Sequence, residues 1–395
     1  MGERRGTLTR AHSAQKWARV KMKIAQVAPL YESVPPHLYG GTERVVSYLT
    51  EALVEQGHEV TLFASGDSIT EARLIPGCER SLRLSEDCVD PLAHHAVLLD
   101  KVIGMADEFD VIHFHTDYGH FPSSKSMRLR NVTTLHGRLD LPDLEPLYQH
   151  FNDMPLVSIS YAQREPIGEV NWMGNVYHGL PAELHKASEE EGKYLAFLGR
   201  VSPEKRPDRA IRIALKAGMP LKIAAKIDRV DREYFETQIK PLLKNPSIEY
   251  IGEITESEKG DFLGNAYAYL FPIDWPEPFG LTMIEAMACG TPTIAFSCGS
   301  VPEILDEGES GYIVTSEQGA IDALRKIPQL SRATCRATFE KRFTDVRMAE
   351  DYLKVYEAVI SESATASTNV GSGMGGRAAR RVIARSAAAV RAARQ

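Results

Sequence analysis

The apolar residues of this chain fall into short continuous runs that alternate with amphipathic stretches. "KIAQVAPL" (23–30) is an apolar run of strand length, and "TERVVSYLTEALVEQG" (42–57) carries apolar residues at helical spacing until Gly57 closes it. "EVTLFAS" (59–65) predicts a second strand, and a helical pattern occupies about 91–108. The strands "DVIHFHT" (110–116), "VTTLHG" (132–137) and "PLVSISY" (155–161) follow. Because these runs are apolar throughout rather than alternating, they predict strands buried on both faces, as in a parallel sheet sandwiched by helices.

The pattern then restarts. After "NVYHGLP" and a charged stretch near 183–193 comes "YLAFLGR" (194–200), a new first strand. "PDRAIRIALKAG", "LKIAAKI", "REYFETQIKPLL", "IEYIGEI", "KGDFLGNA" and "AYLFPI" continue the α/β alternation. "GLTMIEAMACG" (280–290) reads as a helix, and "TPTIAF" and "GYIVT" as the last strands. The expected architecture is two doubly wound, Rossmann-like halves, 22–176 and 177–344, facing each other across a cleft. Residues 345–360 predict a terminal helix, and 361–395 a flexible Ser/Gly linker with a basic Ala/Arg tail.

Composition narrows the class. The chain has 395 residues, 43% hydrophobic and 25% charged, as in ordinary globular proteins, and no apolar run reaches the ~20 residues of a membrane span. Its net charge of −7 conceals basic ends: residues 1–21 and 361–395 each carry +5, leaving −17 between them. An acidic folded part argues against nucleic acid as a partner. The 1–21 segment lacks a secretory core and reads as a disordered basic extension. The basic tail reads as a solvated tail because its apolar stripe is thin, with peripheral contact with an anionic membrane surface as the alternative. Five scattered cysteines without CxxC spacing predict reduced thiols and a cytoplasmic protein.

The candidate chemistry clusters just after strands. Gly40 and Gly41 stand at a helix start, where open amides and the helix dipole favour an anion, with Thr42 as a plausible N-cap. Neither a G-x-G-x-x-G fingerprint nor a P-loop is present, so no dinucleotide or other cofactor is expected. "FLGRVSPEKRPD" (197–208) places Arg200 and Lys205 on a loop after a strand, a pair able to clamp a diphosphate; Arg206 beside them reads as solvated. "DWPEPFGLTMIE" (274–285) sets Glu277 in a loop and Glu285 inside the next helix. The amides of Phe279, Gly280 and Leu281 lie between them. One carboxylate can meet a sugar's hydroxyls and the other a ribose. In "HFHTDYGH", His113 reads as core-facing, and His115 and Asp117 as acceptor-site candidates. The His-x-His pair lacks a supporting third ligand, so no metal is expected.

Three of these motifs, Gly40–Gly41, "GRVSPEKRPD" and the E-x7-E of "EPFGLTMIE", agree in order and spacing with a known family. Over residues 22–360 the chain resembles the retaining glycosyltransferases of family 4, which have the GT-B architecture. The resemblance implies that Glu277 contacts the donor sugar, Glu285 the ribose, and Arg200 and Lys205 the diphosphate. It also implies that His136, in "TTLHG", reaches the donor sugar near the reacting centre, and that the terminal helix crosses back to brace the N-terminal half. Many relatives have a Gly-Gly pair where this chain reads "SCGSVPEIL", which leaves the loop at 298–303 open; Glu303 there reads as structural. The implied activity moves a sugar from a nucleoside diphosphate to a hydroxyl acceptor (a sugar, a lipid-linked or a small molecule) with retention. UDP-sugars are favoured, with GDP-mannose open. A nucleotide-sugar epimerase and a catalytically silent nucleotide-sugar binder are the alternatives.

Overall fold

Two parallel sheets organise the chain, and their carboxyl edges define where ligands can bind. The computed structural model describes residues 21–85 and 87–371. The basic tail and all of the N-terminal extension except Lys21 lie outside the described residues. The first sheet contains β1 (Lys23–Val27), β2 (Glu59–Ser65), β3 (Arg73–Cys78), β4 (Val111–Phe114), β5 (Asn131–Thr134), β6 (Leu156–Ser158) and β7 (Trp172–Asn175). Their spatial order is β3-β2-β1-β4-β5-β6-β7. The second contains β8 (Tyr194–Arg200), β9 (Leu221–Lys226), β10 (Ile248–Gly252), β11 (Ala266–Phe271), β12 (Thr293–Phe296) and β13 (Gly311–Val314), in the order β10-β9-β8-β11-β12-β13. Every pairing in both is parallel.

In each sheet the order reverses beside the first strand, between β1 and β4 and between β8 and β11. Connections there leave in opposite directions and open a crevice at the carboxyl ends, which is where doubly wound sheets bind ligands. The segments that follow β1, β4, β5, β8 and β11 carry the cavity candidates read from the sequence, with Arg200 at the end of β8 and Glu285 inside the helix after β11.

Helix Gly41–Glu55 forms because Val45, Val46, Leu49, Ala52 and Leu53 make one buried stripe. Its N-cap is Gly40, and Thr42 lies within the helix, so the expected Thr42 cap does not form. Helix Pro91–Gly104 is capped by Asp90, whose carboxylate accepts from Leu92 N–H at 3.0 Å. "REYFETQIKPLL" departs from a regular helix: Arg232–Tyr234 is α-helical and Phe235–Ile239 continues as a π-helix.

The final helix runs Asp345–Gly371, beyond Ile360 and into the segment read as a flexible linker. Its Ser and Ala residues at 361–367 are compatible with helix continuation once the packed part has nucleated it. The buried face comprises Met348, Ala349, Tyr352, Leu353, Tyr356 and Val359, at 3.6-residue periodicity. It packs on helix Gly41–Glu55 and on β4, β5 and β7, all in the first domain. Each of the larger aliphatic side chains on this face (Met348, Leu353, Val359) contributes roughly 1.5–3 kcal/mol through burial.

The chain therefore passes between the domains twice, and the two passages are joined side by side. Leu180 N–H donates to Phe343 O at 2.9 Å, and Asp345 N–H donates back to Leu180 O at 3.0 Å. Glycine is required at 179, since a Cβ there would lie 2.2 Å from Thr344 O. A single apolar cluster runs through both domains, from Ile24 and Leu49 through Phe343 and Tyr356 to Met283 and Ile284. Among the described residues, no helix is long and apolar enough to cross a membrane.

Candidate active site

The two crevices face each other and enclose one cavity of about 910 Å³. Residues 40, 41, 115, 117 and 136 of the first domain line it. Residues 200, 205, 277, 279, 280, 281 and 285 of the second line it too, so every site candidate from the sequence reaches the same space.

The second domain supplies the charged wall. Gly280 caps helix Leu281–Ala288 in the left-handed region (φ 85°), and a Cβ there would meet Met283 Cε at 2.6 Å. This sharp turn out of "EPFG" puts the helix start, Gly280 to Thr282, in the cavity wall, and a helix N-terminus favours an anion. Glu277 is 8% exposed; its Oε2 accepts from Trp275 Nε1–H at 3.0 Å and forms an ion pair with Lys205 Nζ. The Lys205 ammonium also lies 4.9 Å from the Trp275 ring centroid, a cation–π contact that holds it over the loop.

The loop at 298–303 braces this glutamate from behind. Gly299 (φ 55°) is pressed so close that a Cβ would stand 2.4 Å from Glu277 N and O. Ser300 donates through its N–H to Glu277 O (2.9 Å) and through its hydroxyl to Phe279 O (2.8 Å). One glycine at this loop is enough for the close approach. Glu303 lies apart from the cavity and is a clasp between domains. Its carboxylate accepts from Tyr161 N–H, Ala162 N–H and Tyr177 O–H at 2.8, 2.6 and 3.0 Å.

Glu285 is 2% exposed, and its Oε1 pairs with Lys259 Nζ at 2.7 Å while Oε2 is buried without a partner. Lys259 also reaches Glu256 (3.0 Å), which meets Arg44 of the first domain at 2.7 Å. Burial pushes the Glu256 carboxyl up, but its neighbours, Lys259 and Arg44 among them, outweigh it and hold the group below its usual range.

Arg200 is not a free cation. Its guanidinium faces Glu204 (3.1 Å), Asp228 (3.5 Å) and Asp231 (3.6 Å). Arg206, expected to be solvated, instead takes a left-handed N-cap conformation (φ 55°) and pairs with Asp208 (2.9 Å) and Asp274 (2.5 Å). Those partners tie the loop after β8 to the loop after β11, a structural task for which Arg206 is positioned by Pro207 at the helix start.

The first domain supplies a wall of neutral imidazoles. His113 is fully buried on β4, bonded to Tyr356 Oη (2.8 Å) and Thr134 Oγ1 (2.7 Å). His115 bonds Gln26 Oε1 and His136 Nε2, each at 2.8 Å. Burial lowers the His136 pKa to about 3 and pushes those of His113 and His115 well below the usual value. Asp117 adopts φ 54°, and its surroundings raise its carboxyl pKa by desolvation. That backbone conformation is uncommon for a residue with a Cβ, and Asp tolerates it better than most.

Three participants escaped the sequence reading. His178, from "NVYHGLP", stacks on His136 with centroids 5.2 Å apart and planes at 18°. Lys259 and Trp275 hold the two glutamates. Trp275 lay inside the quoted motif, and a ring beside the Lys205–Glu277 pair was the available signal. His178 and Lys259 carry no local pattern.

Comparison with known proteins agrees with this geometry. Residues 39–165 match the model for "Glycosyltransferase Family 4", and residues 182–338 match that for "Glycosyl transferases group 1". An uncharacterised glycosyltransferase of Methanocaldococcus jannaschii is 25% identical, with 74% of this chain and 85% of that protein covered. The phosphatidyl-myo-inositol mannosyltransferase of Mycolicibacterium smegmatis is 24% identical over 86% of this chain and 94% of its own. Among solved structures, Anabaena HepE in complex with UDP and glucose superposes with a TM-score of 0.67 at 17% identity, covering 85% of this chain and 99% of that one. The opposed crevices, the ordered motifs and the two matched models lead to one assignment: the chain belongs to the family 4 glycosyltransferases and has their GT-B architecture.

Proposed function

We propose that this glycosyltransferase takes its sugar from a nucleoside diphosphate, with UDP as the favoured base, and moves it to a hydroxyl acceptor with retention of configuration. The observation that carries this reading is the shape of the charged wall. Two cations, two lysine-held glutamates and a helix N-terminus line one side of a cavity whose other side is the His136 wall.

In this reading the diphosphate lies against the first amides of helix Leu281–Ala288, between Arg200 and Lys205. Charge that develops on the leaving oxygen meets preorganised donors, the largest usual term in such catalysis. Glu285 accepts from the ribose hydroxyls, and its unpartnered Oε2 leaves an acceptor open for one of them. Glu277 holds hydroxyls of the donor sugar, with Lys205 shared between it and the phosphate. His136 meets the sugar from the opposite domain, and His115 and Asp117 lie on the acceptor side.

Retention follows from attack on the leaving-group face. The acceptor oxygen bonds to the anomeric carbon as the carbon–oxygen bond to the diphosphate breaks, and the acceptor proton passes to the departing phosphate oxygen. The acceptor is a sugar, a lipid-linked or a small hydroxyl compound. UDP is the first base to test because the similar Anabaena protein is in complex with UDP and glucose. The setting is cytoplasmic, consistent with five free cysteines.

A thermal-shift panel of nucleoside diphosphates and their sugars tests the donor, since a ligand of the native state raises Tm. UDP and a UDP-sugar are expected to shift it most; a panel without any shift overturns the donor reading. NMR of the product made from an α-linked donor should show an α-linkage. A β-linked product sinks the retaining mechanism, and an altered free nucleotide sugar without transfer identifies an epimerase.

A further inference from the structure

His136 ends a chain of hydrogen bonds that begins on the final helix. Gln26 Nε2–H donates to Tyr356 Oη at 2.9 Å, and Tyr356 Oη meets His113 Nδ1 at 2.8 Å. On its other side, Gln26 Oε1 meets His115 Nε2 at 2.8 Å, and His115 Nδ1 meets His136 Nε2 at 2.8 Å. Gln26 and Tyr356 are both fully buried, so water does not compete for these groups.

A neutral imidazole has one N–H and one lone pair, and each fixes the other. A carbonyl oxygen only accepts, so His115 Nε2 carries the proton and its Nδ1 is a lone pair. His136 Nε2 must then be the N–H that donates to it. That leaves His136 Nδ1 as a lone pair, on a buried atom without a partner. Turning the Gln26 amide over would reverse every bond in the chain and leave an unpaired N–H at that place. Orphaned buried N–H groups are rarer than under-used acceptors, which favours the first polarity. The rings remain neutral at ordinary pH because burial lowers both pKa values. His178, stacked on His136, holds the ring plane.

We propose that Gln26 and Tyr356 are positioning residues that fix the tautomer of His136 through His115, so that its Nδ1 accepts a ligand hydroxyl and does not donate. The catalytic consequence rests on the reading of His136 as a donor-sugar contact; the tautomer does not. The final helix thereby sets the hydrogen-bond polarity of a histidine that lines the cavity, although among the described residues none of its own lines that space.

Long-range proton–nitrogen NMR of the intact, histidine-labelled protein at pH 7.5 reads each ring's tautomer directly. The His136 signals are identified by their loss in His136→Gln. The expected result is a protonated Nε2 and a bare Nδ1 at His136. Gln26→Leu and Tyr356→Phe should each mix the two tautomers, whereas Gln26→Glu, still an acceptor towards His115, should keep the native one. In a transfer assay Gln26→Leu should lower kcat about tenfold, equal to about 1.4 kcal/mol of barrier, with donor KM unchanged and partial rescue in Gln26→Glu. A protonated Nδ1 in the unsubstituted protein overturns the proposal. So does a native tautomer pattern that survives both Gln26→Leu and Tyr356→Phe. If Gln26→Leu does not fold, the unsubstituted protein and Tyr356→Phe decide it. A fully active His136→Gln would instead refute the donor-sugar role of His136 and leave the tautomer result standing.

Discussion

Replacing His120 with glutamine should make the protein less stable at neutral pH and yet less sensitive to acid. The ring is 2% exposed, stacks on Phe114 with centroids 3.6 Å apart, and bonds Ser124 Oγ (2.8 Å) and Thr133 Oγ1 (2.9 Å). Burial lowers its pKa to about 3, against ~6.5 in an unfolded chain. Because the folded value is depressed, the unfolded chain binds the extra proton as pH falls. The contribution is intact above pH ~6.5 and is lost progressively down to about 3. Between pH 7.5 and 5.5 the unfolded residue gains about 0.8 proton and the folded one almost none, which costs roughly 1.4 kcal/mol of stability. Glutamine does not titrate. Its own loss of packing and of one hydrogen bond, roughly 1–3 kcal/mol, is the same at both pH values. Urea unfolding followed by tryptophan fluorescence at pH 7.5 and 5.5 should therefore show the stability gap between the two proteins narrowing by about 1.4 kcal/mol on acidification. A gap that stays constant within a few tenths would mean that the folded His120 ring protonates freely, and its description as a buried neutral group would fail.

Three further outcomes follow from the charged wall. Lys205→Ala should lower turnover by roughly 10²–10³ with the fold intact, since it removes one preorganised cation from the leaving group; near-normal transfer by the soluble variant refutes the diphosphate clamp. Calorimetry should show Glu285→Gln weakening nucleoside diphosphate binding, and Glu277→Gln sparing it while impairing transfer; the opposite pattern reverses their roles. Gly280→Ala should cost at least ~1 kcal/mol by denaturation, because φ 85° and the 2.6 Å approach to Met283 Cε both penalise a Cβ; an unchanged Tm would contradict that turn geometry.

The legible parts of the molecule were those whose physics is local. β1, β2, β8, β11 and β12 are buried strands and read as apolar runs. β3, "RLIPGC", and β7, "WMGN", are edge strands, half exposed along most of their length, and carry no apolar pattern to detect. The same distinction separates the site residues. Gly40, Arg200, Lys205, Glu277 and Glu285, which line the cavity, were singled out because each stands at a recognisable place, just after a strand or in the helix that follows one. Distant partners carry no such mark: Lys259 meets Glu285 from 26 residues away, and behind the histidines Gln26 meets Tyr356 across 330. Arg206 shows the converse error. Its charge and its place beside Lys205 suggest solvent exposure, and only Asp274, brought in by β11, gives it a second partner.

The paired passages at Leu180 and Thr344 bear on how this enzyme can be dissected. A cut between the two sequence halves would strip the first sheet of the helix that covers β4, β5 and β7, and would bare Tyr352 and Tyr356 as unsheltered aromatic surface. Neither half is then an autonomous piece, because the amino-terminal unit is completed by helix Asp345–Gly371, which follows the second sheet in the chain. The junction also acts as the spine of a book. Both crossings are zipped at one place by a pair of backbone hydrogen bonds, so the two domains are tied to each other at a single narrow seam.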